Sequence, residues 1–317
     1  MTTLKNTEGD SVNIAFFGEC MVELSGQPLR RTFGGDTLNT ALYLSRLGAS
    51  RHLSVSYATA LGVDNISRDM LSAWQEENID TRLVRKLENK LPGLYLVETE
   101  PNGERHFHYW RNDSAAKFYF ATDLSPLEQA IDNHEFDALY ISGISLAILA
   151  EEAKATLITL LEKHRQHGGK VMFDNNFRPQ LWTAKQAQYW YSQVLRFVDI
   201  ALVTEDDDHK VWGDSDIVAR CRMFGCEEVV IKRGCDPCKV VCHLQSAEPT
   251  VTYVAANQVE HVVDTCAAGD SFAAGYLAGR LTGADETQSA ELGHQLAAIV
   301  IQHPGAIIPR EAMSALL

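Results

Sequence analysis

Two phosphate-binding signatures are missing from this chain of 317 residues. Neither G-x-x-x-x-G-K-[S/T] nor G-x-G-x-x-G occurs, which excludes a Walker or a Rossmann phosphate loop. Positive charge is scarce: 28 Lys and Arg stand against 42 Asp and Glu, a net charge of −14. That balance argues against a surface for nucleic acid or an anionic membrane. An anionic small molecule would have to be met by a local cluster of Arg, Lys and backbone N–H groups. Long apolar runs are missing too. Leu292–Pro309 carries no formal charge, but His294, Gln295, Gln302, Pro304 and Gly305 interrupt it, so no membrane span is expected. Lys5, Glu8 and Asp10 precede the first apolar run, and Glu19 cuts Ile14–Phe17 short. No secretory signal is read there, and a cytoplasmic location is expected. The seven cysteines are an odd number, which reads as reduced thiols. Cys235-Asp236-Pro237-Cys238 has metal-ligand spacing, with Cys242 and His243 nearby. A zinc site needs four convergent ligands, so buried thiols in a turn and strand are the simpler expectation.

What is present is ordinary in bulk. Apolar residues are 45% and charged residues 22%, the range of a folded globular chain rather than a disordered or fibrous one. At about 150 residues per domain the length allows two domains or one large one. With no repeat and no linker, a single domain over residues 1–317 is expected. Strand-like and helix-like stretches alternate. Val12–Gly18, His52–Ala60, Ala138–Ser142, Val171–Phe173, Ile200–Thr204, Val229–Lys232 and Lys239–His243 read as strands. Helices are expected over Thr37–Leu47, Met70–Glu77 with Ser67 as N-cap, Glu151–His167, Thr183–Phe197, Gly269–Leu281 and Glu286–Gln302. The alternation predicts an α/β fold with a mostly parallel central sheet flanked by helices on both faces. Two stretches break the pattern, Met21–Phe33 and Leu94–Trp110. The second holds Leu94–Glu98 and Arg105–Trp110 around Asn102-Gly103, a hairpin signal. Together they predict a small β-sheet lid, drawn from about residues 21–33 and 94–111, since a lone hairpin is marginal.

The strongest chemical motif is Asp264-Thr265-Cys266-Ala267-Ala268-Gly269-Asp270-Ser271-Phe272, joining the strand-like Glu260–Val263 to a helix. Small residues let the backbone approach a ligand, and N–H groups at a helix N-terminus favour an anion. Asp270 beside such a cradle suits a base that accepts a proton from a hydroxyl. An ordinary small-residue helix start with a capping Asp fits the same letters. Gly275, Gly279 and Gly283, four apart, are expected to permit close helix packing. In Phe33-Gly34-Gly35-Asp36-Thr37-Leu38-Asn39 the glycines expose backbone before a helix, and Asp36 and Asn39 offer groups for sugar hydroxyls. Taken alone, that motif is better explained by a glycine turn with Asp36 or Thr37 as N-cap. Asp174-Asn175-Asn176-Phe177-Arg178-Pro179 and Lys232-Arg233-Gly234 stand at strand ends, where parallel sheets bind ligands. Tyr109-Trp110-Arg111 closes the hairpin, and Arg can grip a carboxylate bidentately. Glu205–Asp208 is either an acid-rich first helical turn or a group that orients Mg²⁺ through water.

These pieces in this order resemble the ribokinase-type (PfkB) carbohydrate kinase family, over nearly the whole chain. Phe17–Met21, Gly34–Asn39, Leu91–Tyr95, Tyr109–Asn112, Ser142–Ala147, Phe173–Pro179 and Gly305–Glu311 are similar, more narrowly, to the members that phosphorylate a sugar acid. The resemblance implies a ribokinase-like fold and ATP- and Mg²⁺-dependent phosphorylation of a sugar hydroxyl. Asp270 would be the base, with Ala267, Ala268 and Gly269 as the anion hole. Gly34, Gly35, Asp36 and Asn39, with the adjoining Thr37 and Leu38, would bind the sugar. Tyr95, Tyr109, Trp110, Arg111 and Arg178 would face its acid end. Asn176, Arg178, Lys232, Arg233 and Gly234 would meet the nucleotide, and Ala297, Val300 and Ala306 the adenine. Ala267 stands where the signature has Gly; it would supply the same N–H provided its φ is negative. The family's N-x-x-E appears as Thr204-Glu205-Asp206-Asp207, which leaves Asp207 as the candidate Mg²⁺-orienting residue. A homodimer or higher homo-oligomer through the lid is implied as well. A kinase of a neutral sugar such as fructose or ribose, and a sugar-binding regulator without catalysis, are the alternatives. Arg111 argues against the neutral sugar, because a buried Arg without a carboxylate would be costly.

Overall fold

Short strands buried on both faces make the centre of the main sheet. Phe16, Tyr140 and Met172 enter one apolar cluster, while their neighbours Phe17, Ile141 and Phe173 enter the other. Helices must therefore cover both sides, as parallel sheets require. A computed structural model describes residues 11–99, 105–121 and 123–317. The Asn102-Gly103 turn lies outside the described residues.

In chain order the elements are β1 (Val12–Phe17), β2 (Met21–Ser25), β3 (Arg30–Gly34), α1 (Asp36–Gly48), β4 (Leu53–Leu61), α2 (Asn65–Glu76), β5 (Ile79–Asp80) and β6 (Val84–Lys86). The chain continues through β7 (Leu94–Thr99), β8 (Arg105–Trp110), α3 (Pro126–Asp132), β9 (Ala138–Ser142), α4 (Gly143–Ala147), α5 (Glu151–Gln166) and β10 (Lys170–Asp174). It ends with α6 (Ala184–Val194), β11 (Ile200–Thr204), α7 (Glu205–Trp212), α8 (Ile217–Phe224), β12 (Glu228–Lys232), β13 (Cys238–Cys242), β14 (Thr250–Val254), α9 (Ala268–Leu281) and α10 (Glu286–Val300).

The large sheet runs β14-β13-β12-β11-β10-β9-β1-β4-β5, with β6 also on β4; it is parallel from β12 onward and antiparallel at β13 and β14. A separate four-stranded sheet, β3-β2-β7-β8, is the expected lid. Its two halves join by the parallel pair β2–β7, with Glu23 beside Tyr95. α1 is buried along nearly its whole length, beneath α9. α9 and α10 touch through small residues at Gly275 and Gly279, as their spacing predicts, whereas Gly283 lies past the end of α9 with φ 91° and nothing within 4 Å of where a Cβ would be. A Cβ on Gly275 would come within 2.7 Å of the Gly293 Cα, and one on Gly279 within 2.5 Å of the Ser289 hydroxyl. The far end of α9 is anchored by Arg280, which donates to both oxygens of buried Glu228 at 3.1 and 2.6 Å, with Tyr276 on the same carboxylate.

Some expectations are corrected. α2 starts earlier than Ser67, because Asp64 is the cap and accepts from Ser67 N–H at 3.0 Å. Glu260–Val263 is not a strand; Val263 and Asp264 instead donate to the Ile301 carbonyl after α10. The acidic run Glu205–Asp208 is the first turn of α7, as one of its two readings had it. Cys238 and Cys242 are buried at the two ends of β13, while Cys235 is exposed.

Candidate active site

The carboxyl ends of β10 and β12 carry Asp174 and Lys232, and the start of α9 carries Asp270, where an open α/β sheet places its ligands. There a cavity of about 330 Å³ opens between sheet and lid. The lid contributes Tyr95, Phe107 and Tyr109. Tyr95 and Tyr109 are cross-strand partners with ring centroids 5.9 Å apart, so one face of the hairpin is an aromatic wall. The Tyr95 hydroxyl donates to Glu23, and burial beside that carboxylate pushes its pKa far up. Arg178, near enough to Tyr109 for its charge to act on the phenol, lines the same cavity.

Four carboxylates at the cavity are managed by named partners. Asn39 donates to Asp270 Oδ2 at 2.8 Å, and Asn176 to Asp36 Oδ2 at 2.7 Å. Lys232 pairs with Asp174 at 2.5 Å, and Tyr140 donates to the same oxygen at 3.4 Å. Asp207 pairs with Arg178 and Lys210. Burial, then the charge of Asp36, pushes Asp270 up to about 7; Asn39 and Lys232 pull the other way and Asp174 adds to the rise. Asp36 is raised also, mainly by burial, with Ser142 and Asn176 opposing.

The loop before α9 holds a non-glycine residue in the left-handed region. Ala267 has φ 57° and ψ 16°, so the condition of a negative φ is not met. Left-handed backbone at Ala costs about 1–2 kcal/mol. The loop is held by Asp264, which accepts from Cys266 N–H at 2.7 Å and from Gly305 N–H at 2.8 Å. Ala268 N–H is used in a turn bond to Thr265, and Gly269 and Asp270 continue the helix start toward the cavity. The paired glycines answer close approaches. A Cβ on Gly34 would meet the Tyr95 hydroxyl at 2.9 Å, and one on Gly35 the Glu19 carbonyl at 2.2 Å.

Of the residues singled out in the sequence, Gly34, Gly35, Asp36, Asn39, Tyr95, Tyr109, Asn176, Arg178, Asp207, Lys232, Ala267, Ala268, Gly269, Asp270 and Ala306 line this one cavity. The others are placed elsewhere. Thr37 is buried with its hydroxyl 2.9 Å from that of Tyr57, and Leu38 is buried in the core. Trp110 is 60% exposed. Arg111 is paired with Glu19, a carboxylate 1% exposed, so the argument that Arg111 would lack an anion is corrected. Arg233 lies with Glu205, Lys239 and Tyr253 around a second depression, and Gly234 has φ 63° in the turn after β12. Val300 is fully buried and Ala297 packs against the same core cluster. Sequence reading gave no site role to Glu19, Glu23 or Asp264. Only proximity in space reveals them, since their partners are 92, 72 and 41 residues away.

Residues 12–313 match the family described as pfkB family carbohydrate kinase. The chain is 50% identical over 313 residues to the 2-dehydro-3-deoxygluconokinase of Escherichia coli K12, covering 96% of this chain and all of that one. Among solved structures it is similar to the 2-dehydro-3-deoxygluconokinase of Thermotoga maritima, with TM-score 0.81, 22% identity and coverage of 96% of this chain and 98% of that one. It is also similar to an Escherichia coli protein solved with ATP and Mg²⁺, with TM-score 0.79, 19% identity and coverage of 96% and 98%.

Proposed function

This chain belongs to the pfkB family of carbohydrate kinases, and from that premise we propose that it is a 2-dehydro-3-deoxygluconokinase. It transfers the terminal phosphoryl group of ATP to the 6-hydroxyl of 2-dehydro-3-deoxy-D-gluconate (KDG). The observation that carries this reading is full-length identity of 50% to a KDG kinase, in a chain whose cavity joins a base to an arginine.

Asp270 takes the proton of the attacking hydroxyl; a pKa of about 7 keeps it both ionisable and basic at neutral pH. Asn39 holds its carboxylate in place, and with Asp36 it binds sugar hydroxyls at the start of α1. The backbone at Ala267 and Gly269 meets the transferring phosphoryl group, where donors fixed in advance stabilise developing charge, while the Ala268 N–H between them is engaged with Thr265. Arg178 receives the sugar's carboxylate, and Tyr95 and Tyr109 wall that end of the cavity. The acid reading rests on Arg178 rather than Arg111, because Arg111 is buried in its pair with Glu19 and does not line the cavity, whereas Arg178, though paired with Asp207, is half-exposed and lines it. Asn176, Arg178 and Lys232, with Ala306, are the cavity-lining residues offered to the nucleotide.

The side chains do not form a cage for a resident Mg²⁺. Among the described residues no three His, Cys, Asp or Glu side chains group around a metal position. Asp174 already holds Lys232, and Asp207 already holds Arg178 and Lys210. Mg²⁺ would enter on the ATP phosphates, its usual carrier in kinases. A cytoplasmic location, where ATP is supplied, goes with this reading. The exposed Trp110 and Leu29 of the lid support a second copy of the chain as its cover.

A phosphorylation screen tests the reading, with KDG set against fructose, ribose, gluconate and tagatose 6-phosphate. KDG should lead the neutral sugars in kcat/KM by about a hundredfold, on the scale of a charge-assisted contact of about 1.5–3 kcal/mol. A preference for fructose or ribose overturns it.

A further inference from the structure

Asp207 occupies the place where the family pattern puts a metal-orienting acid, yet its surroundings are those of a residue that holds cations of the protein's own. It sits in the first turn of α7, with its side chain 10% exposed. Arg178 Nη1 donates to Oδ2 at 3.1 Å, and Lys210 Nζ donates to Oδ1 at 3.0 Å. A divalent cation drawn to this carboxylate would stand beside two fixed positive charges, and its attraction would be largely cancelled. Arg178, in contrast, is the cavity-lining cation of the reading above and is 46% exposed. A half-exposed Arg loses rotamer freedom when a ligand fixes it. The bond to Asp207, with a second from Arg178 Nη1 to the Phe177 carbonyl at 2.9 Å, removes part of that cost before the ligand arrives.

We propose that Asp207 is a positioning residue for Arg178, holding its guanidinium toward the sugar's carboxylate, and does not orient Mg²⁺. The inference rests on the sugar-acid reading, and one set of measurements separates the two. KDG binding is followed by calorimetry without ATP or Mg²⁺, and the half-saturating Mg²⁺ concentration is taken from turnover at saturating KDG. Asp207→Asn should weaken KDG binding about five- to tenfold, the scale of one side chain no longer pre-ordered. It should leave the Mg²⁺ requirement within twofold of wild type. In an Arg178→Ala background the same substitution should cost less than twofold further, because the side chain it positions is gone. Unchanged KDG binding in Asp207→Asn overturns the inference, and so does a Mg²⁺ requirement raised fivefold or more. Should Asp207→Asn not fold, Asp207→Glu takes its place. It keeps the charge but moves the carboxylate by one methylene, and the same split is expected. A wild-type protein that fails to bind KDG overturns the sugar-acid reading instead.

Discussion

A carboxylate is a useful base near neutral pH only where its surroundings resist ionisation. At Asp270 burial does most of this, and the charges of Asp36 and Asp174 add to it. Asn39 and Lys232 oppose the rise and keep the group titratable rather than permanently protonated. The sign of the pH effect follows. The base must be ionised to act, so kcat/KM should climb as pH rises through about 7 and then level off. Asp270→Asn should keep KDG and ATP binding and lower kcat by about a hundredfold or more, the scale of a lost general base. Stopped assays over pH 5–9 on both proteins check this. Turnover within a few-fold of wild type in the variant would remove Asp270 from the role. Ala267 shows the opposite side of site design. Its left-handed φ of 57° is a strain that the turn from Asp264 to α9 imposes.

The lid is an element whose attachment matters more than its interior. Four chain crossings connect it to the body, and two of them lie together, where β1 passes into β2 and where β8 ends. Glu19 and Arg111 stand at those two crossings and pair with each other, with side chains 1% and 11% exposed. The other Glu19 oxygen is buried with no partner among the described residues. A Cβ on Gly93 would come within 2.8 Å of it, so the space around the pair is already filled. Breaking such a pair from one side leaves a buried charge, at a cost of about 3–5 kcal/mol. Arg111→Ala should therefore lower the unfolding free energy by that amount in urea melts, with the loss shared by Glu19→Ala. If stability holds and only the KM for KDG rises, Arg111 belongs to the substrate and not to the lid's root.

At the scale of the molecule, one sheet positions everything. Its parallel strands end together, so Asp174, Thr204 and Lys232 reach one cavity from three separate stretches of chain. The lid sheet closes the open side with Tyr95, Phe107 and Tyr109. Its other face includes Trp110, which water covers poorly. A two-fold pair of chains sharing this surface would bury it in a self-complementary contact. Sedimentation at micromolar concentration should report a dimer, and Trp110→Glu should shift it toward monomer. A wild-type monomer under those conditions counts against the lid as an interface.

The sequence by itself determined what depends on neighbours along the chain. Runs such as Ile14–Phe17 and Val229–Ile231 are too short for helices and read by length as strands buried on both faces, and the alternation with helices then points to a parallel sheet. The turn from Asp264 to Asp270 was legible because a helix start and its small residues are local. So were Gly275 and Gly279, whose spacing by itself places them on one face of α9. Which of several adjacent polar residues faces the cavity was decided only by the tertiary structure. Asp36 and Asn39 point in, while Thr37 and Leu38 between them point into the core, because a helix turns about 100° per residue. Tyr109 faces the cavity and Trp110 does not, since side chains alternate along a strand. The partners of the charged groups were equally out of reach. Arg111 meets Glu19 from 92 residues away and Asp207 meets Arg178 from 29, and an ion pair leaves no mark in sequence beyond two ordinary charged letters.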